Sequence, residues 1–199
     1  MTWRDYFARD YPGAPFVLYG SGHLTVLVVL GIFGVFMLRF RGAGEASRRR
    51  ARLTLALLMV ATESSYHVWM YAIGRWTVQT MLPLHLCSVL IWTAAYTLVT
   101  RNETTYEFVY LMGIGGALQA LLSPEAAGYG VPHYRALETL TAHGLLIIAA
   151  LYLTVVEGFR PTPRSIARVV LGTMAYMVVV TGVNLAVGGN YMYTLHKPA

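Results

Sequence analysis

The sequence predicts an all-α fold: a polytopic membrane bundle of six transmembrane helices with both ends of the chain outside the cytoplasm. Three observations carry this. Apolar residues make up 56% of the 199 residues and charged residues only 12%, well below the roughly 25% charge of a soluble domain. The apolar residues gather in six stretches, each near the roughly 20 residues that a helix needs to cross a hydrocarbon core. Lys and Arg are divided unequally between the polar breaks.

The first stretch, 16–40, is longer than the apolar core of a cleavable signal peptide. Its basic cluster follows it rather than precedes it, so it is expected to stay as a helix. The second, 53–73, comes after the one charge-rich linker, 39–52, and holds Glu63 and His67 four residues apart on one helix face. The third, 82–100, opens with Pro83, harmless at a helix start where the N–H has no partner to lose. The fourth, 106–122, contains Gly113, Gly115 and Gly116. Inside an apolar helix with no strand before it, these indicate close helix packing and not a phosphate loop. The fifth and sixth are 137–156 and 167–187. No internal repeat stands out, and no break is long enough for a second domain, so 1–199 is expected to form one unit.

The net charge of +6 does not indicate nucleic acid, because of where the cations lie. Arg39, Arg41, Arg48, Arg49, Arg50, Arg52, Arg101, Arg160, Arg164 and Arg168 follow the first, third and fifth stretches; Arg4, Arg9, Arg75, Arg135 and Lys197 lie on the opposite side. This is the positive-inside pattern of a multi-pass membrane protein, with both termini outside the cytoplasm. The Arg48–Arg52 cluster serves as an orientation signal, with contact to anionic lipid as the alternative. Trp69, Trp76, Tyr129 and Tyr134 fit an interfacial aromatic belt.

At 1.5 Å rise per residue, His23, His85, Cys87, Glu138, Thr141 and His143 all fall within about 10 Å of the outer end of their helices. His67, Gln119 and Asn184 lie at similar depth on the helices that run outward, with Glu63 deeper. The cytoplasmic halves are almost wholly apolar. Ionisable groups in hydrocarbon are costly and are by default turned inward and paired, so one polar cavity lined by all six helices is expected. Each residue also has a structural reading. His23 can be an interhelical hydrogen-bond partner, Glu63 and His67 can satisfy each other, and Gln119 and Asn184 can be interhelical glue.

Cys87 and His143, at similar depth on different helices, have the chemistry of a nucleophile and base: a thiol activated by imidazole accepts an acyl group as a thioester. Equally, a buried free cysteine can be an inert packing residue. His85, two residues from Cys87 and so about 200° away on an ideal helix, is expected to face elsewhere. His67, His85, His143 and Glu63 are also chemically able to hold zinc. They come almost one per helix without compact spacing, however, and no metal is expected.

The segment Leu82-Pro83-Leu84-His85-Leu86-Cys87-Ser88 resembles the LPLHLC motif of the YwaF-like bacterial integral membrane proteins. Asn190-Tyr191-Met192 followed by Lys197-Pro198 resembles that family's closing motif, and the hydropathy match runs over essentially the whole chain. Members of that family are similar to a eukaryotic transmembrane acyltransferase that remodels ether phospholipids, and distantly to the androgen-induced hydrolases of fatty-acid esters. The resemblance implies a catalytic cysteine matching Cys87 and a catalytic histidine matching His143. The distant hydrolases use Thr in place of Cys. Members continue past the Lys-Pro pair with an aromatic, Pro-rich end, whereas this sequence stops at Ala199, so further residues are expected after it.

Together these give an expected function: a membrane-embedded lipid acyltransferase, or a lipid-ester hydrolase using the same pair. Its partners are the bilayer and a phospholipid or lysophospholipid substrate, and no soluble cofactor is required. His85, Glu63, His67, His23, Gln119, Asn184 and Asn190 are the expected supporting or substrate-binding residues. A transporter or lipid-binding protein in which the cavity only binds is the competing class, against which stands the lack of clear inverted repeats.

Overall fold

The computed structural model describes residues 2–124, 126 and 128–197. Pro198 of the closing motif and the chain end at Ala199 lie outside the described residues. Within them the protein is all-helical, with no strand. Its helices are α1 (Ser21–Leu38), α2 (Glu45–Ala72), α3 (Leu86–Thr100), α4 (Glu103–Phe108), α5 (Ile114–Leu122), α6 (Tyr134–Val155) and α7 (Pro163–Val187). A π-helical turn, Val109–Gly113, joins α4 to α5, so the fourth apolar stretch is not one uniform helix. By length and composition, Ser21–Gly42, Tyr134–Val155 and Pro163–Val187 are each able to cross a membrane.

Helix boundaries depart from the expected ones for identifiable reasons. Helix α1 starts at Ser21, not at 16, because Tyr19 has a φ of 57° and Gly20 is its N-cap. Helix α2 starts eight residues ahead of the apolar stretch, since the arginines of the linker lie on the helix and find partners there. The largest correction concerns α3, expected from 82 but helical only from Leu86, with His85 as N-cap. Residues before it satisfy their backbone groups elsewhere. The Leu82 N–H donates to the Tyr191 hydroxyl, and the Leu84 carbonyl accepts from the Tyr176 hydroxyl. Pro83 therefore lies in a turn ahead of the helix rather than in its first turn. Pro163 takes that helix-opening role instead, at the start of α7.

Helix α6 is the central element, packed against α1, α2, α3 and α5 and buried along most of its length. Its small residues make this possible. A Cβ at Gly144 would come within 2.7 Å of Leu30, so this glycine lets α1 approach closely. Helices α1 and α7 lie at the periphery and turn large apolar side chains outward, among them Val28, Ile32, Leu171 and Val178. In water such faces would be a liability; in hydrocarbon they face their own solvent.

An ionic lattice closes the end of the bundle where α2 begins and α3 and α6 finish. Glu157, whose side chain is fully buried, lies 2.8 Å from Arg52 and 3.0 Å from Arg101, and Arg52 also reaches Glu45 at 3.1 Å. Beside it, Glu107 of α4 accepts from Arg168 and Ser165 of α7. Arg52 is therefore an internal structural cation, unavailable to anionic lipid.

Candidate functional site

At the opposite end, a cavity of about 490 Å³ lies between the C-terminal part of α2, the start of α3, α5 and the start of α6. Of the residues singled out from sequence, it gathers Glu63, His67, His85, Cys87, Gln119, Glu138 and His143. The others lie elsewhere. His23 is buried away from the cavity, its Nε2–H donating to the Leu121 carbonyl at 2.9 Å and its Nδ1 accepting from the Tyr19 N–H. It ties α1 to the end of α5, the structural reading of that residue. Asn184 binds Tyr191 through both ends of its amide and reaches Thr194, so it anchors the C-terminal segment and not a neighbouring helix. Asn190 closes the same segment by accepting from the N–H groups of Leu195 and His196. Four helices, not all six, line the cavity, since α1 and α7 contribute no side chain to its wall.

The imidazole of His143 is oriented by its own helix. Its Nδ1–H donates to the Thr139 carbonyl at 2.8 Å, because a carbonyl can only accept, and this leaves the lone pair on Nε2. That is the tautomer a general base needs. Cys87 is half-buried in the first turn of α3, two residues past the N-cap. The N–H groups of a helix's first turn have no partner within the helix and favour negative charge. Among the described residues no hydrogen bond joins the Cys87 thiol to His143, although both line the same space.

His85 was expected to face away from Cys87, but it shares the cavity, because it stands in the turn before the helix and the 200° separation does not apply. The C-terminal segment holds it: its Nδ1 accepts from the Met192 N–H at 3.4 Å, and its ring meets those of Tyr191 and Tyr193. Thus the two motif segments, around 82–88 and 190–192, touch in space. Trp76, in the segment after α2, donates to His67 Nδ1 at 3.2 Å, and His67 Nε2 lies 3.7 Å from Glu63 on the same helix, within ion-pair range but beyond hydrogen-bond distance. One oxygen of Glu63 is buried at the cavity wall with no hydrogen-bond partner.

Sequence reasoning missed Arg135, Thr139, Ser88, Tyr66 and Tyr193 as cavity residues. Arg135 was counted only as a loop charge, yet it binds both Glu138 and Thr139 and stacks over the Tyr66 ring at 4.5 Å. Its spacing of three from Glu138 was the available signal. Trp69, Tyr129 and Tyr134 surround His133 beside the 3₁₀ turn Trp3–Phe7, with the Trp69 indole donating to the Phe7 carbonyl.

The model of the TMEM164 family matches residues 18–199. The chain belongs to the TMEM164 family. It is accordingly a membrane protein whose context is a lipid bilayer, and the matched region contains the whole cavity and both motif segments. No curated protein and no solved structure matches the chain significantly.

Proposed function

We propose that this TMEM164-family protein is a multi-pass enzyme of the bacterial cytoplasmic membrane that transfers acyl groups between lipids through a thioester on Cys87. In this reading the chain is a single bundle crossing six times, both ends outside, with α4, the π turn and α5 together making the fourth crossing. The observation that carries it is the placement of a lone thiol and a lone-pair-bearing imidazole in one cavity at one end of the bundle.

The reaction follows from those groups. His143 Nε2 takes the Cys87 proton as the sulfur attacks an acyl ester carbonyl. The carbonyl oxygen's developing charge meets the first-turn N–H groups of α3. Collapse breaks the ester C–O bond, and the alcohol leaves with the proton that His143 returns, giving a lysophospholipid and acyl-Cys87. A second lysophospholipid hydroxyl then repeats the sequence in reverse. Water taking that place makes the same site a lipid-ester hydrolase, a reading favoured by the polar lining, which admits water. Arg135 is the cavity's cation and suits a lipid phosphate, with Glu138 and Thr139 setting its direction. His85, His67, Glu63 and Gln119 line the remaining wall.

Intact mass of the purified protein after incubation with phospholipid vesicles tests this directly. Wild type gains one fatty acyl mass, Cys87→Ser gains none, and His143→Ala gains it more slowly by about 10²–10⁴-fold, the usual worth of a general base. If Cys87→Ala folds normally and turns over lipid as wild type does, the thioester is wrong. Absence of both adduct and released fatty acid would leave the cavity a binding or transport site.

A further inference from the structure

Acyl transfer at Cys87 needs somewhere for the fatty chain to lie, and the cavity around Cys87 is unsuitable. Carboxylates, imidazoles, a guanidinium and hydroxyls share its wall with Leu82, Ile91 and other apolar groups, and a long hydrocarbon chain laid across it would desolvate the polar ones without replacement hydrogen bonds. Two other apolar hollows are badly placed. The groove under Trp3 and Phe7 lies across α2 from the cavity, and the hollow by Phe33 and Phe36 lies near the other end of the bundle.

A third hollow meets the requirement. A slot of about 210 Å³ runs between α3, the π turn and α7, beginning at Leu86, the residue before Cys87, and passing Val89 and Leu90 to Thr93. Leu90 is three positions from Cys87 and so only about 60° away around the helix. An acyl group on the Cys87 sulfur can therefore turn over that edge of α3 into the slot. The slot's polar atoms are largely occupied: the Thr93 hydroxyl bonds the Val89 carbonyl and the Tyr176 hydroxyl bonds the Leu84 carbonyl. No residue lines both slot and cavity, but they come side by side at the start of α3, where Leu86 of the slot precedes Cys87 of the cavity, and from there the slot extends along α3 to Thr93. The opposite wall is shaped by a glycine, since a Cβ at Gly172 would come within 2.4 Å of the Phe108 ring edge.

Resting on the acyl-transfer reading, we infer that the slot between α3 and α7 holds the fatty acyl chain while it is esterified to Cys87, and that Thr93 and Gly172 set the length it accepts. Thr93 lies seven residues past Leu86, about 10 Å along the helix. A larger side chain there excludes the outer methylenes of a long chain, each worth roughly fourfold in binding.

The test compares hexanoyl and palmitoyl phospholipids in vesicles, reading the Cys87 adduct by intact mass for wild type, Thr93→Phe and Gly172→Ala. Val99→Phe, at an exposed position on the same helix, is the control. In Thr93→Phe the palmitoyl adduct falls at least about tenfold relative to the hexanoyl one, while Val99→Phe keeps the wild-type preference. Gly172→Ala, which displaces Phe108, shifts the preference too and serves if Thr93→Phe does not fold. An unchanged chain preference in both folded variants overturns the inference. If wild type forms no adduct at all, the acyl-transfer reading has failed. The slot is then decided by a palmitoyl phospholipid carrying a mid-chain photoreactive group: label on Leu90 or Met112, lost in Thr93→Phe, supports it, and label elsewhere overturns it.

Discussion

Tyr191 shows what a single side chain does for the site. Fully buried, it accepts from the Leu82 N–H and donates to the Val78 carbonyl, while Asn184 holds its backbone from α7. These bonds fix the turn that carries His85 to Cys87. Tyr191→Phe leaves a buried donor and acceptor unpaired, at a cost of about 1–3 kcal/mol. For a protein of this size the midpoint in detergent should fall by about 2–4 °C per kcal/mol, and acyl transfer should fall with it; a variant with wild-type melting and turnover would show the turn to be held by other means. His133 sets a pH dependence at the same scale. Its Nε2–H donates to the Ala8 carbonyl and its Nδ1 accepts from the Arg135 N–H, an arrangement open only to the neutral ring. Burial pushes its pKa below the ordinary histidine value, against the opposing pull of the Ala8 carbonyl. Since the folded-state value is the lower one, this contribution is complete above about pH 6.5 and is lost as pH falls toward the folded-state value. The thermal midpoint of His133→Gln should respond less to acidification between pH 7 and 5 than that of wild type.

Elements are held at their far ends by ion pairs, and there the cost of a missing partner is highest. Glu157, at the end of α6, neutralises Arg52 of α2 and Arg101 at the C-cap of α3. Glu157→Gln leaves the buried Arg52 with only the half-exposed Glu45 as counter-ion, with an expected loss toward the lower end of the roughly 3–5 kcal/mol that breaking a buried pair costs. Arg101→Gln, at a more exposed cation, should cost far less; equal losses in the two melting curves would show that the lattice is not asymmetric. The sequence made this scale partly legible. Each apolar stretch overlaps helix, the fourth divided among α4, the π turn and α5, because hydrocarbon burial imposes a pattern that needs no tertiary knowledge. It could not show where α2 and α3 begin, since those ends depend on partners distant in the chain: Glu157 for the arginines, Tyr191 and Tyr176 for the turn at 82–84. The site was legible in the same measure. Depth along each helix brought out Cys87, His143, His85, Glu63 and His67, but depth carries no information on which way a helix face points. That is why His23 and Asn184, at the right level, proved to bind the chain's own backbone instead.

For the whole molecule, the distribution of charge and the position of the cavity make one joint claim. If the bundle crosses six times with both ends outside, the cavity opens to the outer leaflet and the ionic lattice around Glu157 faces the cytoplasm. Ten cations fall on one side against five on the other, and inserted helices obey such a bias when the loops are short, as these are. Single cysteines introduced into a Cys87→Ser background read it directly. At Gly44 and Pro161, in the arginine-rich breaks, a membrane-impermeant thiol reagent added to intact cells should fail to label; at Thr77 and Gly128, on the other side, it should label fully. Five crossings would place one end of the chain on the cytoplasmic side, and labelling would then no longer alternate at every break. Inverted labelling at all four positions would keep the bundle but turn the cavity to the inner leaflet, so the lipid acted on would be drawn from the cytoplasmic face, with the chemistry at Cys87 unchanged.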